Sequence, residues 1–372
     1  MRILHCIWSF GDGGAERQLA ILAPALAKRG HDVHVAYVHS GPNVQLIGGS
    51  SCTLHQINAS HKRDMSIVSR AFGLVHELRP EIIQTWMLQM DLIGGAAARF
   101  FRRPWVLAER SSALGYPPST LNRLRMWSGR GATAIVANSN GGAAYWASRG
   151  VDHSKITIVG NALNVAEIDG AEPVNDDGLE SDDEVILFVG RLRREKNVST
   201  LLRSIAILAR SRPRVKLVLC GGDGGERAAL EAQARQSGIA DRVLFTGFTR
   251  NVGMWLKRAS VMAAVSLWEG HPNAVLESIA AGLPVVVSDI PAYRAILDDA
   301  CASFVPPLDE NAIAAALGAA LGDRQAASRR ALEARLRLQP QTADAVAARY
   351  EQLYCRIGSG KAPARLLRPI GW

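Results

Sequence analysis

The sequence predicts an α/β protein built from two doubly wound parallel-sheet domains, and three observations carry that expectation. The first is a repeated succession of short apolar strand, glycine-containing loop and amphipathic helix, the pattern of a parallel sheet covered on both faces. The second is length, since 372 residues exceed what a single hydrophobic core usually organises. The third is that this plan halts in an acidic, aperiodic stretch and then starts again. The expected division is a first domain at 1–165, an acidic linker at 166–184, a second domain at 185–341, and a terminal helix with a basic tail at 342–372.

In the first half, Arg2–Ser9 reads as a strand, Gly11-Asp-Gly-Gly-Ala-Glu-Arg17 as a loop, and Gln18–Arg29 as a helix with Leu19, Leu22, Ala23 and Leu26 along one face. Gly30 ends that helix, and His31–Val38 alternates as the next strand. This is a Rossmann-like opening, but the dinucleotide fingerprint is absent. Glu16 stands where the third glycine belongs, and no acid follows the second strand to hold a ribose. Strands are expected again at 81–86, 105–110, 133–138 and 156–159. Parallel sheets bind ligands beyond the carboxyl ends of their strands, which makes Glu109, Arg110, Asn138 and Asn161 candidates for a binding cleft. Each equally suits a turn or a cap.

The second half repeats the plan: strand Val185–Val189, basic loop Gly190–Asn197, helix Val198–Arg210, strand Val215–Cys220, the glycine-rich Gly221–Gly225, strand Val243–Thr246 ending at Gly247-Phe248, and strand Val261–Ser266. The next stretch, Leu267-Trp-Glu-Gly-His-Pro-Asn-Ala-Val-Leu-Glu277, places two carboxylates with seven residues between them. Glu269 falls in a loop broken by Gly270 and Pro272. Glu277 falls one turn into a helix that Asn273 is expected to cap and Gly282 to stop. A helix N-terminus beside two carboxylates offers a site for an anion and for hydroxyl groups, as a sugar nucleotide would need. The same spacing also suits a surface helix with solvated acids.

Bulk properties narrow the class. No apolar run approaches the roughly 18 residues of a membrane span, and the N-terminus reads as a first strand rather than a signal peptide. The five cysteines, 6, 52, 220, 301 and 355, are scattered and odd in number, as expected of reduced thiols in a cytosolic protein. Charge is uneven. Residues 1–165 carry 17 Lys/Arg against 9 Asp/Glu, and the rest carry 26 against 25. No nucleic-acid motif accompanies the basic half, so an anionic membrane leaflet is the better partner. The stretch 114–127 fits that reading, with Arg123, Arg125 and, just beyond, Arg130 alongside Tyr116, Leu121, Leu124 and Trp127. Such a stripe also suits packing on a sheet.

Five motifs occur in order: Gly13-Gly-Ala-Glu-Arg17, Phe188-Val-Gly-Arg191 with Lys196-Asn197, Gly222-Asp-Gly224, Gly247-Phe248, and Glu269 to Glu277 closing in Ala281-Gly-Leu-Pro-Val285. Together they closely resemble the retaining glycosyltransferases of family 4 (group 1), across nearly the whole chain. The resemblance implies the GT-B fold, two Rossmann-like domains facing a central cleft, with the second binding a nucleotide-sugar donor. It implies that Arg191 and Lys196 hold the diphosphate and that Glu269 orients a sugar hydroxyl near the reacting carbon. Glu277 would accept from the ribose, the backbone of Asn273, Ala274 and Val275 would touch sugar and phosphate, and Gly247-Phe248 would border the base. Gly13 and Gly14 would let the first domain's backbone approach the diphosphate. The chain departs from many relatives by reading Ala108-Glu-Arg-Ser-Ser112 where a histidine near the reacting sugar is common.

The expected activity is transfer of a sugar, with retention, from a UDP- or GDP-linked donor to a hydroxyl of a glycan or polyprenyl-linked acceptor in polysaccharide or cell-surface glycan synthesis. No cofactor is expected. The absence of an Asp-x-Asp pair implies independence of a metal. The protein is expected in the cytoplasm, peripheral on the inner face of the plasma membrane, with no nucleic-acid partner. Two alternatives stay open: a GT-B enzyme of another reaction type, such as a nucleotide-sugar epimerase, and a catalytically silent sugar-nucleotide binder.

Overall fold

The computed structural model describes residues 1–11, 13–59, 64–111, 118–174, 178–249, 251–338 and 341–358. Tyr116 and the basic tail with Lys361, Arg365 and Arg368 lie outside them. The chain forms two compact units, Met1–Ala162 together with the chain from Gln341, and Leu163–Pro340.

The first unit runs β1 (Arg2–Ser9), α1 (Gly14–Lys28), β2 (Asp32–His39), β3 (Thr53–Gln56), α2 (Ser66–Leu78), β4 (Ile82–Trp86), α3 (Leu88–Phe100), β5 (Trp105–Glu109), α4 (Thr120–Gly129), β6 (Ala134–Ala137), α5 (Asn140–Ala147) and β7 (Ile156–Ile158). Its seven strands lie in the order β3-β2-β1-β4-β5-β6-β7, all parallel. Successive side chains of a strand feed opposite faces. Ile3 and Ile7 of β1 join the core under α1, and Leu4 and Cys6 join the core on the other face. A buried Leu or Ile contributes about 1.5–3 kcal/mol, so both layers are needed to hold the sheet.

The second unit runs α6 (Val165–Asp169), β8 (Glu184–Val189), α7 (Val198–Leu208), β9 (Val215–Cys220), α8 (Arg227–Gln236), β10 (Val243–Gly247), α9 (Val252–Arg258), β11 (Val261–Ala264), α10 (Asn273–Ala280), β12 (Val285–Ser288), α11 (Pro291–Arg294), β13 (Ser303–Val305), α12 (Glu310–Gly322) and α13 (Arg324–Leu336). Its parallel sheet has the order β10-β9-β8-β11-β12-β13. Val185 and Leu187 face one core, Ile186 and Phe188 the other.

The last helix, α14 (Ala343–Gly358), belongs to the first unit. Val346, Tyr350, Leu353, Tyr354 and Ile357 complete the core under α1, and Tyr354 donates to the Gln84 side chain on β4. At its surface, Glu351 and Asp344 accept from the Arg29 guanidinium.

Three boundaries differ from expectation. The stretch read as a linker, 166–184, contains most of α6, and its Ile168 and Val174 are buried in the second unit's core. A five-residue helix is too short to show a period, so its acids dominated the reading. α1 starts at Gly14, four residues earlier than expected, because Glu16 folds its carboxylate back over the Gly13 position in the manner of a capping-box acid. A Cβ at Gly13 would collide with that carboxylate. Asn273 is the first residue of α10 rather than its cap, and Pro272 occupies the cap position without a side-chain bond.

His5 on β1 is fully buried, and the Trp86 indole N–H donates to its Nδ1 at 3.3 Å. Burial, with the Arg110 charge adding to it, depresses its pKa to about 3. An unfolded histidine protonates near pH 6.5, so the native state carries the deficit of protons below that value. The stabilisation is therefore complete above about pH 6.5 and declines as pH falls toward about 3, by up to about 1.4 kcal/mol per pH unit. Urea unfolding between about pH 7 and about pH 5 should show a shallower decline for His5→Gln than for the parent. Equal slopes would remove His5 as the source.

Candidate functional site

In a doubly wound sheet the crevice lies where neighbouring strands send their connections to opposite sides. In the second unit that point is between β8 and β11. The residues following these two strands meet there. Lys196, after β8, places Nζ 2.5 Å from Oε1 of Glu269, after β11. A second bond ties the same loops, from Leu267 N–H to the Glu195 carbonyl at 2.8 Å.

Local structure explains how Lys196 is held. Asn197 adopts a left-handed conformation, φ 57°, and turns the chain from the basic loop into α7. Its buried amide donates to the carbonyls of Val265 at 3.0 Å and Pro307 at 2.6 Å, while its oxygen accepts from Thr200. An asparagine tolerates this backbone and closes the local bonds with its own side chain. Within the loop, Arg191 and Lys196 are half-buried, whereas Arg193 and Arg194 stand exposed. The fold thus separates four basic residues that look alike in sequence.

Glu269 is positioned from several sides. Ser266 donates to Oε1 at 2.8 Å, and the Tyr293 hydroxyl lies 3.3 Å from Ser266 Oγ and 3.5 Å from the same carboxylate oxygen. Burial, reinforced by the Glu269 charge, pushes the Tyr293 phenol well above its usual range, so it remains a protonated donor. Lys196, Ser266 and Tyr293 therefore all converge on Oε1.

The other candidates of this unit lie at the same edge of the sheet. Glu277 is buried on α10, whose first-turn N–H groups at Ala274 and Val275 have no acceptor within the helix, while the Asn273 N–H donates to the His271 carbonyl at 3.0 Å. The Ala281-Gly282-Leu283 exit closes with bonds from Gly282 N–H to Ile279 and Leu283 N–H to Ser278. Beyond β9, a Cβ at Gly221 would collide with the Gly190 carbonyl, which explains the glycine where two strand-end loops cross. The neighbouring Asp223 accepts from the N–H groups of Gly225 and Arg227, which hold its carboxyl below the usual range. Gly247 ends β10 and the exposed Phe248 follows it.

In the first unit, Gly13 precedes α1 and Gly14 begins it. The strand-end candidates divide into two groups. Arg110 stacks over the Trp86 ring at 4.4 Å and donates to Asn161 at 2.9 Å and to the Tyr350 hydroxyl at 2.5 Å. Asn138 is buried, with Oδ1 lacking a partner among the described residues. Glu109 is wholly buried and builds the interior instead. Its carboxylate accepts from the Arg125 guanidinium at 3.0 Å, the Trp146 indole at 2.8 Å and the Ser111 N–H at 2.8 Å. Arg125 also pairs with buried Asp91 at 2.6 Å. The expected basic face of 114–130 thus loses Arg125, which points inward.

Comparison with known proteins follows this geometry. The family described as Glycosyl transferases group 1 matches residues 172–337, and Glycosyltransferase Family 4 matches residues 12–167. The chain belongs to these group 1, family 4 glycosyltransferases. It is 25% identical over 286 residues to the Campylobacter jejuni GalNAc-alpha-(1->4)-GalNAc-alpha-(1->3)-diNAcBac-PP-undecaprenol alpha-1,4-N-acetyl-D-galactosaminyltransferase, covering 75% of this chain and 77% of that protein. It is 29% identical over 294 residues to the lipopolysaccharide core biosynthesis glycosyltransferase LpsE of Rhizobium meliloti, covering 77% and 78%. Among solved structures, Anabaena HepE in complex with UDP-glucose aligns with a TM-score of 0.83 at 17% identity, over 95% of this chain and 99% of that one. That likeness shows the GT-B fold.

The activity of this glycosyltransferase is transfer of a sugar from a nucleotide-diphosphate donor to an acceptor. Sequence reading missed three residues of its candidate site: Asn197 as the turn behind Lys196, and Ser266 and Tyr293 behind Glu269. Asn197 carried a signal, since Asn before an apolar helix favours a turn or cap. Tyr293 carried none, being 24 residues from Glu269. Among the described residues, no group of three or more His, Cys, Asp or Glu side chains is arranged to hold a metal ion.

Asp91 shows how closely balanced the buried network is. Burial pushes its carboxyl up, while Arg125 and Thr85 oppose that shift. Removing the cation should therefore be costly. Arg125→Met is expected to destabilise the protein by about 3–5 kcal/mol in chemical denaturation. A loss below about 1 kcal/mol would show that Asp91 and Glu109 do not depend on it.

Proposed function

We propose that this glycosyltransferase moves a sugar with retention from a UDP- or GDP-linked donor to a hydroxyl of a glycan or polyprenyl-linked acceptor, in the synthesis of a polysaccharide or cell-surface glycan. The observation that carries the donor site is the Lys196–Glu269 contact at the β8/β11 crossing, beside the start of α10. Lys196 and Arg191 would neutralise the diphosphate as it departs. Glu269 would use Oε2 to accept from a sugar hydroxyl, since its described bonds all end on Oε1. Glu277 would accept from the ribose, backbone groups of Asn273, Ala274 and Val275 would touch phosphate and sugar, and Gly247-Phe248 would border the base. Gly13 and Gly14 are the first unit's candidates for close backbone approach to phosphate, and Glu109, Arg110, Asn138 and Asn161 its acceptor-side candidates.

In the reaction, the bond from the anomeric carbon to the phosphate oxygen breaks. The acceptor oxygen bonds on the same face, and its proton passes to the departing phosphate. No protein nucleophile and no metal take part. The undecaprenol-linked acceptor in the name of the Campylobacter relative supports a lipid-linked acceptor. The basic first half supports work at the anionic inner face of a membrane.

Calorimetry with UDP, GDP and ADP in the presence of EDTA should find one nucleotide that binds. Lys196→Ala should weaken it about tenfold or more, and Glu277→Gln about tenfold. If none of the three binds, the donor site is misplaced. Transfer from an α-linked donor should yield an α-linked product by NMR, and a β-linked product would rule out retention.

Tyr293→Phe and Ser266→Ala should lower kcat about tenfold while leaving nucleotide affinity unchanged. Ser266→Thr, which keeps the hydroxyl, should restore most of the loss. Parallel losses of kcat and nucleotide affinity would instead indicate a general structural role.

A further inference from the structure

Helix α4 is built inside out. A helix on a protein surface normally turns its apolar stripe inward. Here the inward residues are Arg125, Ser128 and Gly129. The outward ones include Leu121 at 55% exposure, Leu124 at 47% and Trp127 at 67%. The helix cannot roll to bury them, because Arg125 is fixed between Asp91 and Glu109 and lies 5.1 Å from the Trp146 ring.

The exposed apolar face continues onto the end of α3. The Arg99 guanidinium lies 5.8 Å from the Trp127 ring. The adjacent Phe100 is 71% exposed and is backed by Phe101 and Phe72 at 4.9 and 5.5 Å. Exposed arginines accompany these knobs: Arg99, Arg102, Arg123 and Arg130. From Leu92 to Val151 the chain carries eight arginines and a single acid, Glu109, which is buried.

We infer that the outward face of α4 together with the end of α3 is the surface by which the protein seats on an anionic lipid bilayer. The inference rests on the peripheral-membrane part of the proposed function and names the surface responsible. Leu121, Leu124, Trp127 and Phe100 enter the boundary between headgroups and acyl chains, where an indole and aliphatic side chains are both accommodated. The arginines keep their guanidinium groups at headgroup level, against phosphate. The bilayer supplies both phases that the patch requires. An acidic polysaccharide would match the charge but leave the apolar knobs in water.

The seated helix also lies one side chain from the acceptor-side candidates. Arg125 bonds one oxygen of Glu109 from behind α4, and the other oxygen holds Ser111 N–H, on either side of Arg110 in sequence. A lipid-linked acceptor held in the bilayer would therefore be presented close to the carboxyl end of β5.

The test is flotation of the full chain with vesicles of phosphatidylcholine alone or phosphatidylcholine with phosphatidylglycerol. Three proteins are compared: the parent, the triple variant Leu121→Gln/Leu124→Gln/Trp127→Gln, and the double variant Arg123→Gln/Arg130→Gln. The altered side chains are exposed, so circular dichroism and nucleotide calorimetry should match the parent. The parent should float with phosphatidylglycerol vesicles, less so as salt rises, and weakly with phosphatidylcholine alone. Both variants should lose about tenfold or more in partitioning.

Failure of the parent to float at low salt would overturn the inference together with the peripheral reading, while nucleotide binding would still judge the donor site separately. Flotation equal in parent and variants would overturn the surface alone. A concentration-dependent dimer in sedimentation, abolished by the triple substitution, would assign the face to a second copy of the chain and overturn the bilayer as its occupant.

Discussion

The contact between Lys196 and Glu269 is the point on which the proposed donor site depends. It joins the loops leaving β8 and β11, the two strands between which the sheet changes direction. A half-buried ion pair contributes little net stability, because desolvation offsets most of the attraction. Its worth is geometric. Asn197 fixes the cation from behind through the carbonyls of Val265 and Pro307, and Ser266 fixes the carboxylate. The pair is thus held by bonds to the scaffold as well as by mutual attraction. A ligand can then meet a prearranged cation and acceptor without first ordering them.

The first unit uses the same chemical groups to the opposite end. Asp91, Arg125 and Glu109 form a buried ionic cluster with bonds to Thr85, Trp146 and Ser111. Every described partner is another part of the unit's own interior. Burying three charges is tolerable only when their hydrogen-bonding capacity is met, and an apolar filling of the same volume is often as stable. What the cluster adds is orientation. It dictates which side of α4 faces inward, and so which side faces out.

Legibility from sequence divides along the same line. The longer strands of both sheets were readable because buried parallel strands are unbroken apolar runs between glycine-marked loops. β3, whose four residues Thr53–Gln56 include three polar ones, and β13, only Ser303–Val305, carried too little pattern. The second unit's candidates Lys196, Glu269 and Glu277 were legible because they occur in ordered motifs. Their supports were not, since Tyr293 reaches Glu269 through tertiary packing and Ser266, three residues before it, carried no mark of its own. The partners of Glu109 were hidden for a related reason. A polar residue at a strand's carboxyl end suits a ligand, but only the position of Arg125, 16 residues on, shows that it faces the interior. Charge counting had placed that same arginine at the surface.

The route of the chain adds a constraint that neither sheet shows alone. The second unit is continuous, Leu163–Pro340, whereas the first draws its last core helix from beyond Gln341. Tyr350, Leu353 and Tyr354 are fully buried against residues of α1 and the first sheet, and that face of the sheet is only partly covered, by α1, until α14 docks. During synthesis from the N-terminus, the first unit's strands are made first but its core closes last. The intervening unit can fold in the meantime, because its two cores need nothing from outside its own stretch. Completion of the first unit is therefore linked to α14, whose Tyr350 also receives the hydrogen bond from Arg110. The helix that seals the core also steadies an acceptor-side candidate, so that strand end takes its final geometry only when the core is complete.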